Sequence, residues 1–581
     1  MSTKVKSKKK KKKNLSSQNE PTVKGQWCWG KRAGLAKLLK VLGSNSKSST
    51  TQQAPAAWLV NSDVSQETKA LVTSWHSSVI NKSNLKQLAS EVISSIDAII
   101  AKFGQTDIGV VVLAACHSLR AIAGSCEYSQ WQDLVSRILE LAQSAELNTE
   151  LPPHVFQQLA IEVPLTVAFQ IPDPDSNDLL AKRSCKKLDS SIVEMLDHDG
   201  WPNATYLPQF GPLVASWVRC YAIIDELNLE PGFESASQLE WMVRQVLRML
   251  RPDGRLVFSD SVSNPVTNEF LHSLLKLSND PEDKRLLKIV SLNSKSTYKA
   301  VDLPEPGCHS EWSETALLQS AWGPTPPKVA IDFSRGRCLT EICRDATLIK
   351  GESLPAISVN GVAVQNNEAF EIVCIESDED VEYLELEREL GNGVRFTRQY
   401  LLSRNEEFLM IADLVMTESS SRIDYQCQWP LAPGIEGLHE SETREVYLTG
   451  KKIQSLVLPL ALPEWKVGRT DDRLEFKDRR LCLTQSTNGC GLYAPLFFDL
   501  NAKRSKKKRT WRQLTVAENR EKVGHDQACA FRIQLDKNQW LLYRTVSSKG
   551  NRTFMGENVT SEFVFSRFSK DGTVTQLIEI E

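Results

Sequence analysis

Tyr383-Leu384-Glu385-Leu386-Glu387-Arg388-Glu389-Leu390-Gly391-Asn392-Gly393-Val394 is the stretch that decides the fold of this chain. Side chains of a strand point alternately to its two faces, so Leu384, Leu386, Arg388 and Leu390 share one face and three glutamates take the other. Gly391, Asn392 and Gly393 supply the backbone freedom of a tight turn, and Val394, Phe396, Thr397 and Tyr400 resume the strand pattern. The spacing predicts a β-hairpin. From Val329 to the C-terminus the same two-residue period prevails, whereas before about residue 295 the period is helical. Val111, Val112, Leu113, Ala115, Cys116, Leu119 and Ile122 recur at the three- and four-residue intervals of one buried helical face.

Helices followed by strands predict two packed units rather than an alternating α/β sheet. The 581 residues exceed the roughly 250 to 300 at which one core stops growing. We divide the chain into a basic tail and linker over 1–55, a helical domain over 56–305 and a strand-rich domain over 306–581. About ten helices are expected, with breaks at Pro152–Pro153 and Asp173–Pro174. No fixed sequence period supports a solenoid. Hydrophobic residues at 41% and charged residues at 24% are ordinary globular values, so a full core is expected. The formal charge of -2 excludes a whole-molecule field that would steer the chain to a polyanion, so electrostatic binding must be local.

The N-terminus runs through Lys8 to Lys13 without the apolar stretch of a secretory signal, and no transmembrane segment is expected. Thirteen scattered cysteines, an odd number, agree with reduced thiols in the cytosol. Neither Cys338 with Cys343 nor Cys482 with Cys490 has a histidine at metal-ligand spacing, so no metal and no cofactor is expected. A lysine block repels itself, and it is either a solubilising tail or an arm that touches a nucleic acid. Residues 27–41, from Trp27 to Val41, have the pattern of a short basic amphipathic helix, and 44–54 read as a linker.

One break in the helical half concentrates reactive groups. Asp197, His198, Asp199, Gly200, Trp201, Pro202, Asn203, Ala204, Thr205 and Tyr206 precede the helix that holds Leu213, Val214, Trp217, Val218 and Tyr221, and loops at helix ends are common places for sites. This organisation resembles the heparinase II/III-like polysaccharide lyases and their alginate lyase relatives. Asp199, Gly200 and Tyr206 are similar to the family's Asp-Gly loop and cleft tyrosine. His309, Ser310, Glu311, Trp312, Trp322, Gly323, Pro324 and Val329 to Phe333 resemble the start of its β half, and Asn538 to Arg544 a late strand.

The resemblance implies an α/α toroid followed by an antiparallel β-sandwich, and β-elimination on a uronic-acid-containing polysaccharide. That chemistry needs a group to neutralise the uronate, a base beside the proton on the adjacent carbon, and an acid for the leaving oxygen. By resemblance Tyr206 is the acid, with Asn203 or His198 as the neutralising group. From the residues alone, Tyr206 is equally a buried aromatic, Asn203 a turn or cap residue and His198 a solvated loop residue.

The chain departs from the family at Arg335 to Asp345, where the resemblance leads one to expect a Gly-His-Gly-His-type segment and no histidine stands. Either His309 takes that role or the lyase chemistry is lost. A carbohydrate-binding reading then competes, in which Arg335, Arg337 and Arg344 pair with sugar carboxylates while Trp312 and Trp322 stack on the rings. The basic cluster Lys503 to Arg509, followed by Trp511 and Arg512, keeps a nucleic-acid partner as a third reading. GxSxG, P-loop and HExxH motifs are lacking.

Overall fold

The computed structural model describes residues 64–100, 107–171, 176–259, 265–291, 303–323, 325–365 and 368–581. The Lys8–Lys13 arm, the 27–41 amphipathic pattern, the 44–54 linker, the Asp173–Pro174 break and Pro324 lie outside these residues. Eleven α-helical segments occur among the described residues, all before residue 291, and every strand follows residue 307. The chain divides into two compact units, one containing Val64–Leu188 and Arg219–Glu230, the other Asp189–Val218 and Pro231–Glu581.

The first unit is helical. Its helix Ile108–Ile122 was expected to bury one face, yet every residue from Ile108 to Leu119 is buried. Neighbouring helices cover it on all sides, and Trp131 donates its indole N–H to the Leu119 carbonyl at 2.9 Å. One candidate membrane span occurs among the described residues, Ile108–Ser125, and 78% of it is buried inside the protein. Beside it a π-helical turn, Gln157–Glu162, presents Glu162 to Arg219. The pair joins at 2.5 and 2.9 Å, which satisfies two charges that would be costly to bury singly.

The second unit carries the sheets. Strands β1 (Cys308–Ser310), β2 (Thr315–Gln319), β3 (Lys328–Asp332), β4 (Leu339–Cys343) and β5 (Thr347–Glu352) form an antiparallel meander in chain order. The register puts Ser310, Thr315, Asp332, Leu339 and Glu352 at one end of this sheet, and Gln319, Lys328, Cys343 and Thr347 at the other. At the latter end the buried Lys328 donates its ammonium to the carbonyls of Arg248 and Leu250, orphan acceptors at the C-terminal end of the helix Phe233–Met249.

A larger sheet of eleven strands contains the expected hairpin, with Val381–Leu390 and Val394–Ser403 paired from Leu390–Val394 outward. Asn392 and Gly393 both take positive φ, at 68° and 66°. Leu384, Leu386 and Leu390 join a core shared with β2, β3 and β4. The opposite face of the same strand is buried too from Val381 to Glu385. Val381 and Tyr383 pack there with Trp511, Phe531, Trp540, Phe563 and Phe565 of the C-terminal strands, which include Asn538–Thr545.

Candidate active site

The loop from Asp197 to Tyr206 is built around Asp197. One carboxylate oxygen accepts the backbone N–H of Asp199 at 3.0 Å and of Trp201 at 2.7 Å, closing an Asx-type turn. The other accepts the Ser310 hydroxyl at 2.9 Å and ties the loop to β1. Trp201 is wholly buried and donates its indole N–H to Cys308 Sγ at 3.3 Å. Gly200 adopts φ +75°, and a Cβ there would lie 2.1 Å from the backbone nitrogen of Met242. Gln245 and Gln238 hold the loop from that side by donating to the carbonyls of Asp199 and Leu196.

Asn203 is the N-cap of a 3-10 turn, Ala204–Gln209, and its side-chain oxygen accepts the Thr205 N–H at 3.1 Å. Tyr206 follows, partly exposed. Burial, joined by the nearby Glu194 carboxylate, raises the phenol above its usual value of 10. The phenol therefore keeps its proton through the neutral range, a state that suits a proton donor and not a base.

The loop after β3 meets this turn. Arg335, at φ 55°, donates from its guanidinium to the Thr205 hydroxyl. Asp332 anchors the loop, accepting from Ser334 at 3.0 and 2.6 Å and from Arg337 at 3.3 Å. Gly336, with φ +68°, gives its carbonyl to Arg388 at 3.0 Å. Trp312, 45% exposed, lies in the β1–β2 turn at the same end of the sheet, where the Phe333 N–H reaches the Glu314 carbonyl.

Other residues singled out from the sequence lie elsewhere. Arg344 follows β4 at the far end of the sheet and pairs with Glu407 at 2.6 Å. Trp322 follows β2 at that end, donates to the Pro304 carbonyl at 2.7 Å and lies under the Arg248 guanidinium. His309 is exposed in β1 between Cys308 and Ser310, whose side chains reach the Asp197 loop, so strand alternation turns the imidazole to the opposite face. His198 is exposed on the loop itself. Cys338, in the segment that lacks the expected histidine, is fully buried, with Sγ 3.3 Å from the Tyr400 hydroxyl.

In the second basic cluster Arg504 pairs with Asp499 and Arg509 with Glu440 and Glu445, and Trp511 is buried. Among the described residues no group of three or more His, Cys, Asp and Glu side chains is placed to hold a metal ion. The organising role of Asp197 was not anticipated from the sequence, although the Asp-x-Asp-Gly spacing of an Asx turn was there to read.

No family model matches the chain, and no curated protein matches it. Solved structures do. The fold is that of the heparinase-like polysaccharide lyases. The chain is similar to a heparinase III crystal structure (TM-score 0.57, 9% identity, 83% of this chain and 82% of that one). It is also similar to another heparinase III gene product (0.56, 10%, 89% and 100%) and to a mutant of the heparan sulfate lyase HepC from Pedobacter heparinus (0.54, 10%, 86% and 82%).

Proposed function

We propose that this chain is a polysaccharide lyase-like protein that takes a uronate-bearing polysaccharide at the Tyr206–Arg335 end of the first sheet. The observation that carries the reading is the Thr205–Arg335 hydrogen bond, which sets a guanidinium beside the turn holding Tyr206 on a lyase fold. Arg335 pairs with the uronate carboxylate, Arg337 adds positive charge, and Trp312 offers a face to a sugar ring. In β-elimination a base removes the proton on the carbon next to the carboxylate. The bond from the neighbouring carbon to the glycosidic oxygen breaks, a carbon–carbon double bond forms, and Tyr206 protonates the departing oxygen. His198 is the imidazole carried by the same loop. The helices before residue 291 and the antiparallel strand pairing after residue 307 support the finer architecture we assign, an α/α toroid over 56–305 and a β-sandwich over 306–581. A cytosolic location belongs to the same proposal.

A second reading, carbohydrate binding without turnover, is favoured by one specific feature. His309 faces away from the loop, which leaves the base role thinly staffed. One experiment separates the two: ultraviolet absorbance of the unsaturated uronate during incubation with heparan, chondroitin and alginate polymers, alongside binding to the same panel. A rise supports the lyase. Binding without a rise supports the second reading, and neither signal removes both.

A further inference from the structure

The five-stranded sheet at the C-terminal end of the chain runs from an edge strand Arg509–Leu514 to Val574–Ile580, and packs one face on the large sheet through Trp511, Phe531, Ile533 and Trp540. Residues directly opposite in antiparallel strands place their side chains on the same face. On the outer face Leu514, Ala530 and Tyr543 form one such row, and a small four-stranded sheet covers it with Phe554 and Val559. Toward the other end of the edge strand the outer face turns polar. Arg512 stands directly opposite Arg532, and Thr510, Gln534 and Gln539 form the row beyond.

Like charges directly opposite repel, and nothing acidic relieves this pair. Arg532 donates from Nε at 2.9 Å and from Nη2 to the Gln539 amide oxygen, a neutral acceptor, and lies over the Phe568 ring. Arg512 is exposed and, among the described residues, pairs with no carboxylate. Lys506, Lys507 and Lys508 lead into the edge strand, all exposed, and the Lys508 carbonyl accepts the Asp536 N–H at 2.8 Å, which brings Lys537 to the same end. Acids around that turn are held by other cations, Asp499 by Arg504, and Glu440 with Glu445 by Arg509. Asp536 and Glu464 remain, the latter accepting the Thr510 hydroxyl at 2.5 Å, while Lys570 and Asp571 offset each other in the turn after Phe568. Lys506, Lys507, Lys508, Arg512, Arg532 and Lys537 therefore outnumber the acids at this end of the sheet. Beside the edge strand a cavity of about 470 Å³ lies between Pro463 and Trp465 on one side and Arg512 and Gln513 on the other, and Trp465 is 52% exposed.

We propose that this face is a second docking surface for an anionic polysaccharide chain, apart from the Tyr206 loop. Arg512 and Arg532 pair with sulfate or carboxylate groups laid across them, which removes their mutual repulsion. The lysines act as point charges along the chain, and Trp465 offers its ring to a sugar at the edge. Thr510, Gln534 and Gln539 present hydroxyl and amide groups that match sugar hydroxyls. The nature of the chain rests on the polysaccharide reading above, and its place rests on the opposed arginines. The large sheet lies between this face and the first sheet, so roughly 20 Å of stacked sheet separates it from the Arg335 turn. Substitutions at the two places therefore act independently on a long chain.

The test is the affinity of the full chain for long heparan sulfate and for single-stranded oligothymidylate, repeated on Lys506→Glu/Lys507→Glu/Arg512→Glu, on Trp465→Ala and on Arg335→Ala. The three cations are exposed, so the triple variant should keep the parent melting temperature. The expected result is saturable binding of heparan sulfate that salt weakens, reduced roughly tenfold or more in the triple variant and several-fold in Trp465→Ala. A loss in the triple variant without one in Arg335→Ala supports this surface and removes the uronate site. A loss in Arg335→Ala alone supports the uronate site and overturns this surface, and losses in both support both. Oligothymidylate bound more tightly than heparan sulfate, and released by the triple variant, overturns the proposal in favour of a nucleic-acid surface. Absence of heparan sulfate binding overturns it outright.

Discussion

Gly200 and Tyr206 stand six residues apart and answer to different physics. At Gly200 a left-handed φ and a Cβ position 2.1 Å from the Met242 nitrogen leave no room for a side chain. Gly200→Ala should therefore destabilise the protein by about 2 kcal/mol or more, read as a lower denaturation midpoint. Tyr206→Phe removes only a hydroxyl from a partly exposed ring, so folding should be unchanged while turnover falls to background; retained turnover would remove Tyr206 from the mechanism. Arg335→Ala should weaken uronate oligosaccharide binding by roughly tenfold, the effect of one charge-assisted contact at an exposed site, measurable by calorimetry. The cap role of Asn203 was legible, since asparagine before a short turn is a common N-cap. The pairing of Arg344 with Glu407 was not, because those residues lie 63 positions apart.

The strand Val381–Leu390 carries the lesson at the scale of an element. Its alternation was read correctly, yet its acidic face meets water only toward the turn, at Glu387 and Glu389. Glu385 is buried and receives Arg544 at 2.7 Å, and its partner oxygen accepts the Tyr383 hydroxyl. Arg388, on the leucine side, is buried over the Phe370 ring, 4.2 Å from its centroid. The neighbouring strand repeats the device with Arg398, which grips Asp413 at 2.7 and 2.6 Å without solvent contact. Asp413→Ala should cost about 3 to 5 kcal/mol, because it strands a buried guanidinium. Replacing Arg398 and Asp413 together by methionine and leucine should cost much less. Urea denaturation of both variants checks the difference; equal losses would show that the stranded charge is not the source.

At the scale of the whole molecule, two buried histidines of the helical unit should make the fold sensitive to acid. Burial lowers the pKa of His76 to about 4, and burial with the Arg219 charge lowers that of His117 to about 3. Both imidazoles are neutral in the folded state below the unfolded value near 6.5, so the unfolded chain binds more protons there and stability falls as pH drops. The loss should begin near pH 6.5 and approach about 1.4 kcal/mol per pH unit for each histidine before levelling near pH 4 to 3. His117→Gln should reduce that slope, and melting curves between pH 7 and 4 would reveal it; an unchanged slope would place the acid sensitivity elsewhere. The order of helices before strands, the hairpin at Gly391–Gly393 and the reactive loop at 197–206 were determined by the sequence itself, because periodicity and turn chemistry are properties of neighbouring residues. Only tertiary structure decided that both faces of Val381–Leu390 are covered over most of its length and that Ile108–Leu119 is buried all round. It also decided that Arg335 and Trp312 share an end of the first sheet from which Arg344 and Trp322 are absent. The five residues of β4 span roughly 16 Å, so arginines that are close in sequence are held apart by the strand between them.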